Sequence, residues 1–247
     1  MKSVKIYAIG ILCLLSVGLV ISCTKSFNEK TVQQSNFNNS TLAQVYVATV
    51  NASRNYVYID TKAVTGALLS SGSVFPSTAY AFKVEPGVRA FLVRDTLSAA
   101  TQVPLSFAEN MQAGKNHTIF MYDTISTPKQ KTVITDIVIP SDTSSRIRFA
   151  NFIYNPTDVP AIDVYSFSKA ANIFTNVSVT GVTNFIPYPS AYPSTSTLPT
   201  DTLYIRETGT TVNILKLAIS LTQKRSYTFV YRGSHRGTRV ASLFANY

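Results

Sequence analysis

The chain has 247 residues, a formal net charge of +10, and 45% hydrophobic, 11% aromatic and 14% charged residues. That composition is too apolar and too aromatic for a disordered chain, and the length suits one large domain or two small ones. Two cysteines and two histidines exclude a disulfide framework and a zinc ribbon.

Lys2 and Lys5 precede an almost unbroken apolar run over 6–21, IYAIGILCLLSVGLVI. A basic start followed by such a run is a secretory signal, and the run is short for a membrane-spanning helix, which needs roughly 20 apolar residues. The run ends in Val20-Ile21-Ser22-Cys23, which resembles the bacterial lipobox. The resemblance implies cleavage after residue 22 and acylation of Cys23, palmitate included. Cys13 leaves with the signal, so the mature chain keeps a single cysteine, and it is the lipid site. Burial of each acyl methylene contributes about 0.8 kcal/mol, so two or three chains anchor the protein durably. Thr24 stands where an aspartate would resemble an inner-membrane retention signal, which points to the outer membrane. The periplasmic and cell-surface sides both stay open.

Residues 23–41 are polar, rich in Asn, Gln, Ser and Thr, and aperiodic, which reads as a lipidated tether. Beyond it come short segments rich in Val, Ile, Tyr, Phe and Thr, separated by turn residues: 44–50, 56–60, 80–84, 90–94, 103–107, 117–122 and 133–139. Glu85-Pro86-Gly87 and Ala113-Gly114-Lys115-Asn116 supply turn chemistry between them. No stretch carries a sustained helical period.

The order then recurs. Residues 146–152 answer 44–50, IDVY at 162–165 answers VYID at 57–60, and 202–207 sit where 90–95 sit. The segment 226–231 answers 117–122. A shared order with similar gaps predicts two related domains, 42–140 and 144–247. Seven short strands in about 100 residues predict an antiparallel β-sandwich of immunoglobulin type for each. The fold expected is all-β, two tandem sandwiches, with the second half able to fold by itself.

Arg146-Ile147-Arg148-Phe149, followed by Asn155-Pro156-Thr157-Asp158-Val159-Pro160-Ala161-Ile162-Asp163-Val164-Tyr165, resembles the signature of domain-of-unknown-function family 4397. Members are often exported, anchored and tandem, in Bacteroidetes and other bacteria. The resemblance is specific around 146–165 and implies no catalytic residues.

The chemistry of an enzyme is thinly represented. His117 opens a predicted strand, and His235 lies in Gly233-Ser234-His235-Arg236-Gly237, which is not a nucleophile elbow. No calcium loop, zinc set or phosphate loop occurs, so no cofactor is expected. Asp158 and Asp163 are the closest pair of acids, and both fit the family turn and strand.

After Glu207 the chain has no acid, while Lys216, Lys224, Arg225, Arg232, Arg236 and Arg239 follow. For an exported protein this favours anionic headgroups or glycans over nucleic acid. Residues 186–200 form an insertion with four prolines, Tyr188 and Tyr192, a semi-rigid loop able to present aromatic faces. The expectation is a non-catalytic, membrane-anchored structural, adhesion or interaction module. The alternative is a module binding carbohydrate or an anionic envelope polymer, with Tyr188, Tyr192, Arg232 and Arg236 as ligand residues. A hydrolase is the third reading.

Overall fold

The computed structural model describes residues 39–77, 80–97, 99–137, 139–190 and 201–246. The signal segment 1–22, the lipidation site Cys23, most of the tether and Tyr192 lie outside the described residues. The first half comprises β1 (Thr41–Val47), β2 (Asn55–Ile59), β3 (Lys62–Ala63), β4 (Val74–Phe75), β5 (Phe82–Val84), β6 (Gly87–Asp95), β7 (Leu105–Met111), β8 (Asn116–Tyr122) and β9 (Lys129–Ile134). The second comprises β10 (Ser145–Tyr154), β11 (Ile162–Ser166), β12 (Ala171–Val177), β13 (Ile186–Tyr188), β14 (Asp201–Glu207), β15 (Leu215–Ile219), β16 (Ser226–Ser234) and β17 (Arg239–Ala245).

Each half is a β-sandwich. In the first, an outer sheet β3-β2-β6-β7 faces an inner sheet β4-β1-β8-β9, with β5 also pairing β1. In the second, an outer sheet β12-β11-β14-β15 faces an inner sheet β13-β10-β16-β17. The strand order is thus the same in both halves. One pair per sandwich is parallel, β1 with β8 and β10 with β16, where a purely antiparallel sandwich was expected. The first core gathers Val45, Val57, Phe91, Val93, Met111 and Ile119. The second gathers Ile147, Phe149, Val164, Leu203, Phe229 and Tyr231. Arg94 lies over the Tyr58 ring at 5.1 Å and Arg206 over the Tyr165 ring at 3.7 Å, so the same outer-sheet pairing recurs.

Three boundaries differ from the sequence reading. Strand β1 begins at Thr41, the last residue assigned to the tether, because Thr41 pairs with Val84 and its hydroxyl donates to Gln112 O at 2.7 Å. Strand β9 runs over 129–134 instead of 133–139. Its first three residues, Lys129-Gln130-Lys131, carry the polar signature of a sheet edge, which hides a strand from a hydrophobic pattern. The match between 117–122 and 226–231 is one residue out of step. Thr135 N donates to Asn116 O as Asn246 N donates to Ser226 O, and Leu42 N donates to Lys115 O as Arg146 N does to Arg225 O. Asn116 therefore answers Ser226, and the same bonds make Gln44 answer Arg148. A one-residue slip would exchange the faces of a strand. In the observed register Ile119 and Phe229 both face their own cores, while Phe120 and Val230 both face the other sandwich.

That second face is what joins the halves. Along β10, Ile147, Phe149 and Ile153 enter the second core, whereas Ala150 and Phe152 enter a third cluster with Tyr46, Ala48, Phe120, Val230 and Phe244. Phe120 stacks on Phe152 with ring centroids 4.5 Å apart, and Tyr46 on Phe244 at 5.0 Å. The inner sheets pack face to face, strand β1 against β17 and β8 against β10, and the two sandwiches form one compact unit. An isolated 144–247 would leave Phe152, Val230 and Phe244 in water. Independent folding of the second half, expected from the sequence, would have to tolerate that exposure. Phe120 is fully buried in this cluster, so Phe120→Ala should cost about 3–5 kcal/mol of unfolding free energy. Urea denaturation of the variant beside the wild type measures it, and a loss below about 1 kcal/mol would show that the seam contributes little.

Candidate ligand-binding groove

The seam has two long sides, related by the repeat. On one side Tyr46 fills the space. Its ring lies on Phe244, its hydroxyl meets the Ser242 hydroxyl, and it accepts a hydrogen bond from Arg232 Nε at 3.0 Å. Arg232 Nη1 donates to Ser71 Oγ at 3.0 Å. Gly72 has φ +93°, and a Cβ there would clash with the Arg232 guanidinium, so a side chain at this turn would displace the arginine. Arg232, expected on a ligand-binding surface, is instead a bridge between sandwiches.

On the other side the residue answering Tyr46 is Ala150, by the register that pairs Tyr46 with Phe120 and Ala150 with Val230. Ala150 is fully buried in the third cluster, and beside it, at Arg148 and at Ile153-Tyr154 of the same strand, the seam opens. Two clefts lie along it, walled by β9 and by the 178–185 segment before β13. The first, about 370 Å³, is lined by Val133, Ile134, Asp136, Arg148, Val182 and Phe185, among others. The second, about 480 Å³, includes Tyr122, Asp123, Lys129, Tyr154, Asn155 and Asp158. Both volumes fall in the range of small-molecule sites. Lys131, between Lys129 of the wider cleft and Val133 of the narrower one, spans the walls by donating to Thr180 O at 2.7 Å.

In the wider cleft, Lys129 Nζ lies 2.7 Å from Asp123 Oδ2. The Asp123 carboxylate raises the ammonium pKa, through hydrogen bonding first and charge second. Tyr122 and Tyr154 flank it and are half-buried, whereas Asp158 is exposed. The turn at 155–159 thus supplies a wall of this cleft. Asp163 is elsewhere: buried, with its carboxylate accepting from Asn172 Nδ2 at 3.0 Å, Asn176 N at 2.8 Å and Thr208 Oγ1 at 2.7 Å. The two acids are not brought together.

Arg148 floors the narrower cleft and is 3% exposed. Its Nε donates to Thr228 Oγ1 at 2.9 Å, and Nη2 donates to Thr118 Oγ1 and Thr135 Oγ1, each at 3.1 Å. The Phe185 ring lies 4.8 Å from the guanidinium carbon. Burial lowers the Arg148 pKa to about 9, which leaves it charged at neutral pH. Nothing in the local sequence marks this residue as buried.

The remaining expected site residues are placed as follows. Tyr188 is 1% exposed and offers no free face. Its hydroxyl donates to Asp201 Oδ2 and lies 2.8 Å from Ser166 Oγ, tying the end of β13 to the start of β14. Burial raises the Tyr188 pKa further above its usual value, and the Asp201 hydrogen bond adds to this. Arg236 is exposed in the β16–β17 turn. Arg239 Nε donates to His235 O, and Arg225 lies over the Tyr80 ring at 4.8 Å, so Arg225, Arg232 and Arg239 have separate local partners. The two histidines sit in different sandwiches. His235 Nε2 is 3.0 Å from Glu207 Oε1 and its Nδ1 is 3.2 Å from the Tyr231 hydroxyl. His117 is buried, and desolvation lowers its pKa. Among the described residues no group of three or more His, Cys, Asp and Glu could hold a metal ion.

No family model matches the chain, and no curated protein does. Among solved structures it is similar to the Bacillus anthracis TIE protein at 11% identity and TM-score 0.24, over 81% of this chain and 34% of that one. The chain therefore spans about a third of the length of that protein. It is also similar to CBMbc, of family CBM26, from Eubacterium rectale Amy13K in complex with maltoheptaose. That likeness has 8% identity and TM-score 0.27, over 82% of this chain and 96% of the other. Neither superposition is close enough to place a ligand here.

The Tyr188 cluster yields a test of its structural role. Tyr188→Phe removes one buried hydroxyl from a carboxylate and should cost about 1.5–3 kcal/mol. Burial of Asp201 works to raise its pKa, but hydrogen bonds from Ser166, Tyr188 and Ser168 prevail and hold it below 3.8. The stabilisation is then fully present above the unfolded carboxyl pKa and is lost as pH falls through the folded value. Urea midpoints of wild type and variant should converge as pH falls below the unfolded carboxyl pKa and through the lower folded one, whereas a gap that stays constant with pH would detach Tyr188 from Asp201.

Proposed function

We propose that the protein is a non-catalytic interaction module of the bacterial cell envelope. A lipid on Cys23 holds it to the outer membrane, and it binds its ligand in the groove between the sandwiches. The observation that carries this reading is the open side of the seam. Its walls come from both halves, its two clefts are of ligand size, and its lining mixes tyrosines with charged and amide side chains. A wall formed by one sandwich would vary with any motion between halves, whereas the packed seam holds both walls in register.

The wider cleft favours carbohydrate as the ligand class. Half-buried tyrosines offer flat apolar faces to sugar rings, and Asp123, Asn155, Thr157 and Asp158 offer acceptors and donors suited to hydroxyls. This moves the carbohydrate surface from the 186–200 insertion to the seam, because Tyr188 is used internally.

Two measurements test the reading. Cys23→Ala should abolish incorporation of labelled fatty acid and leave the chain unprocessed or released from membranes; normal membrane extraction of a cleaved Cys23→Ala chain would refute the anchor. Calorimetric titration of the full chain in detergent against a neutral and acidic glycan panel should find a binder. Tyr154→Ala should weaken that binding at least tenfold with little change in melting temperature. Binding to nothing on the panel, or binding indifferent to Tyr154, would remove the groove as the ligand site.

A further inference from the structure

Arg148 carries more hydrogen-bonding capacity than the seam uses. A guanidinium has five N–H donors. Three are engaged, by Thr228, Thr118 and Thr135. Both N–H groups of Nη1 lack a hydrogen-bond partner among the described residues, and Arg148 borders the narrower cleft. Nor does any carboxylate among the described residues form an ion pair with it. A buried charge without a counter-charge is costly unless something anionic completes it.

The repeat provides an internal control for what the seam itself requires. Gln44 answers Arg148, since Gln44 pairs with Thr118 where Arg148 pairs with Thr228. Gln44 crosses its side of the seam with Nε2 donating to Ala245 O at 2.8 Å and Oε1 accepting from Asn246 Nδ2 at 2.7 Å. The Thr228–Asn246 bond on that side answers the Thr118–Thr135 bond on the other. A neutral amide therefore suffices to tie the sandwiches together at this position. The positive charge of Arg148 is an addition, and it occurs on the side of the seam that is open.

We propose that Arg148 recognises a carboxylate, and that the narrower cleft takes a uronic-acid unit of an acidic saccharide. This rests on the reading of the groove as the ligand surface. The neighbours set the class. Val133, Val182 and Phe185 provide an apolar wall suited to the C–H face of a ring. Asp136 and Asn184 are exposed at the cleft, and their side chains have no hydrogen-bond partner among the described residues. Both suit sugar hydroxyls. A phosphate or sulfate polymer would bring further negative charge against Asp136, whereas a single carboxylate flanked by hydroxyls places charge at Arg148 and donors at Asp136. Phe185 shields one guanidinium face from water and strengthens the charge-assisted bond.

The test compares trigalacturonate with its methyl ester, which keeps ring and hydroxyls and removes only the charge. Calorimetric titration of the full-length protein in detergent should show the acid binding at least tenfold tighter than the ester. Arg148→Gln, the residue type that serves at the answering position, should fold with a melting temperature near wild type and bind acid and ester equally. Arg148→Lys should recover only part of the preference, since an ammonium lacks the planar fork. Equal binding of acid and ester by wild type overturns the proposal, as does a preference that survives in Arg148→Gln. Preference for a peptide with a free C-terminal carboxylate over its amide, with no uronate binding, overturns the saccharide class. Ester binding that depends on Tyr154 but never on Arg148 would leave the groove standing and this inference refuted.

Discussion

Two arginines of the second sandwich, Arg148 and Arg232, cross to the first and end among hydroxyls rather than carboxylates. Around them the inner sheets bury Tyr46, Phe120, Phe152 and Phe244 against one another. Everything else in the fold is arranged so that these two sheets can meet. Each inner sheet must be apolar on both faces, which is why β1, β8, β10 and β16 read as near-continuous buried runs. Each outer sheet needs only one apolar face and alternates accordingly, as in β2 and β14. Buried arginines hydrogen-bonded to fixed hydroxyls also set the register between the sandwiches, because sliding one sheet would strand their donors in an apolar layer.

The joint resembles that of a symmetric dimer built within one chain. The same sheet of each half is used, and the strands meet in opposite order, as in an isologous interface. Sequence divergence between the repeats then does what a true dimer cannot. Tyr46 fills one side of the seam, and clefts open on the other, beside the answering residue Ala150. Gln44 is neutral on the closed side, and Arg148 is charged on the open one. A single asymmetric groove results from a near-symmetric frame, and the groove carries both the ligand reading and the carboxylate specificity inferred for it.

The fold was largely legible in the sequence because half-buried strands announce themselves through Val, Ile, Tyr and Thr runs between turns. The repeat order was legible for the same reason, and the Glu85-Pro86-Gly87 turn falls between β5 and β6 with Gly87 at φ +99°. Edge strand β9 was misplaced because its solvent-facing lysines weaken the hydrophobic signal. The groove was not legible. A run such as RIRFANF does not say that alternate residues serve two different cores, and nothing local marks Arg148 as buried or Arg232 as bridging. Tyr188 looked exposed because prolines flank it, yet its hydroxyl has a buried carboxylate, Asp201, waiting across the insertion. Sequence pattern reports that a strand is buried, and only the packing reports against what.

If the seam is the central constraint, the sandwiches lose their structure together. Equilibrium urea unfolding of the full chain, followed by backbone amide NMR signals of Val57 and Phe91 in the first core and of Val164 and Ile205 in the second, measures this directly. The account predicts one midpoint shared by all four probes, and the same shared midpoint, at lower urea, when Phe152 is replaced by Ala. Two separate transitions, with one core intact while the other has melted, would contradict it.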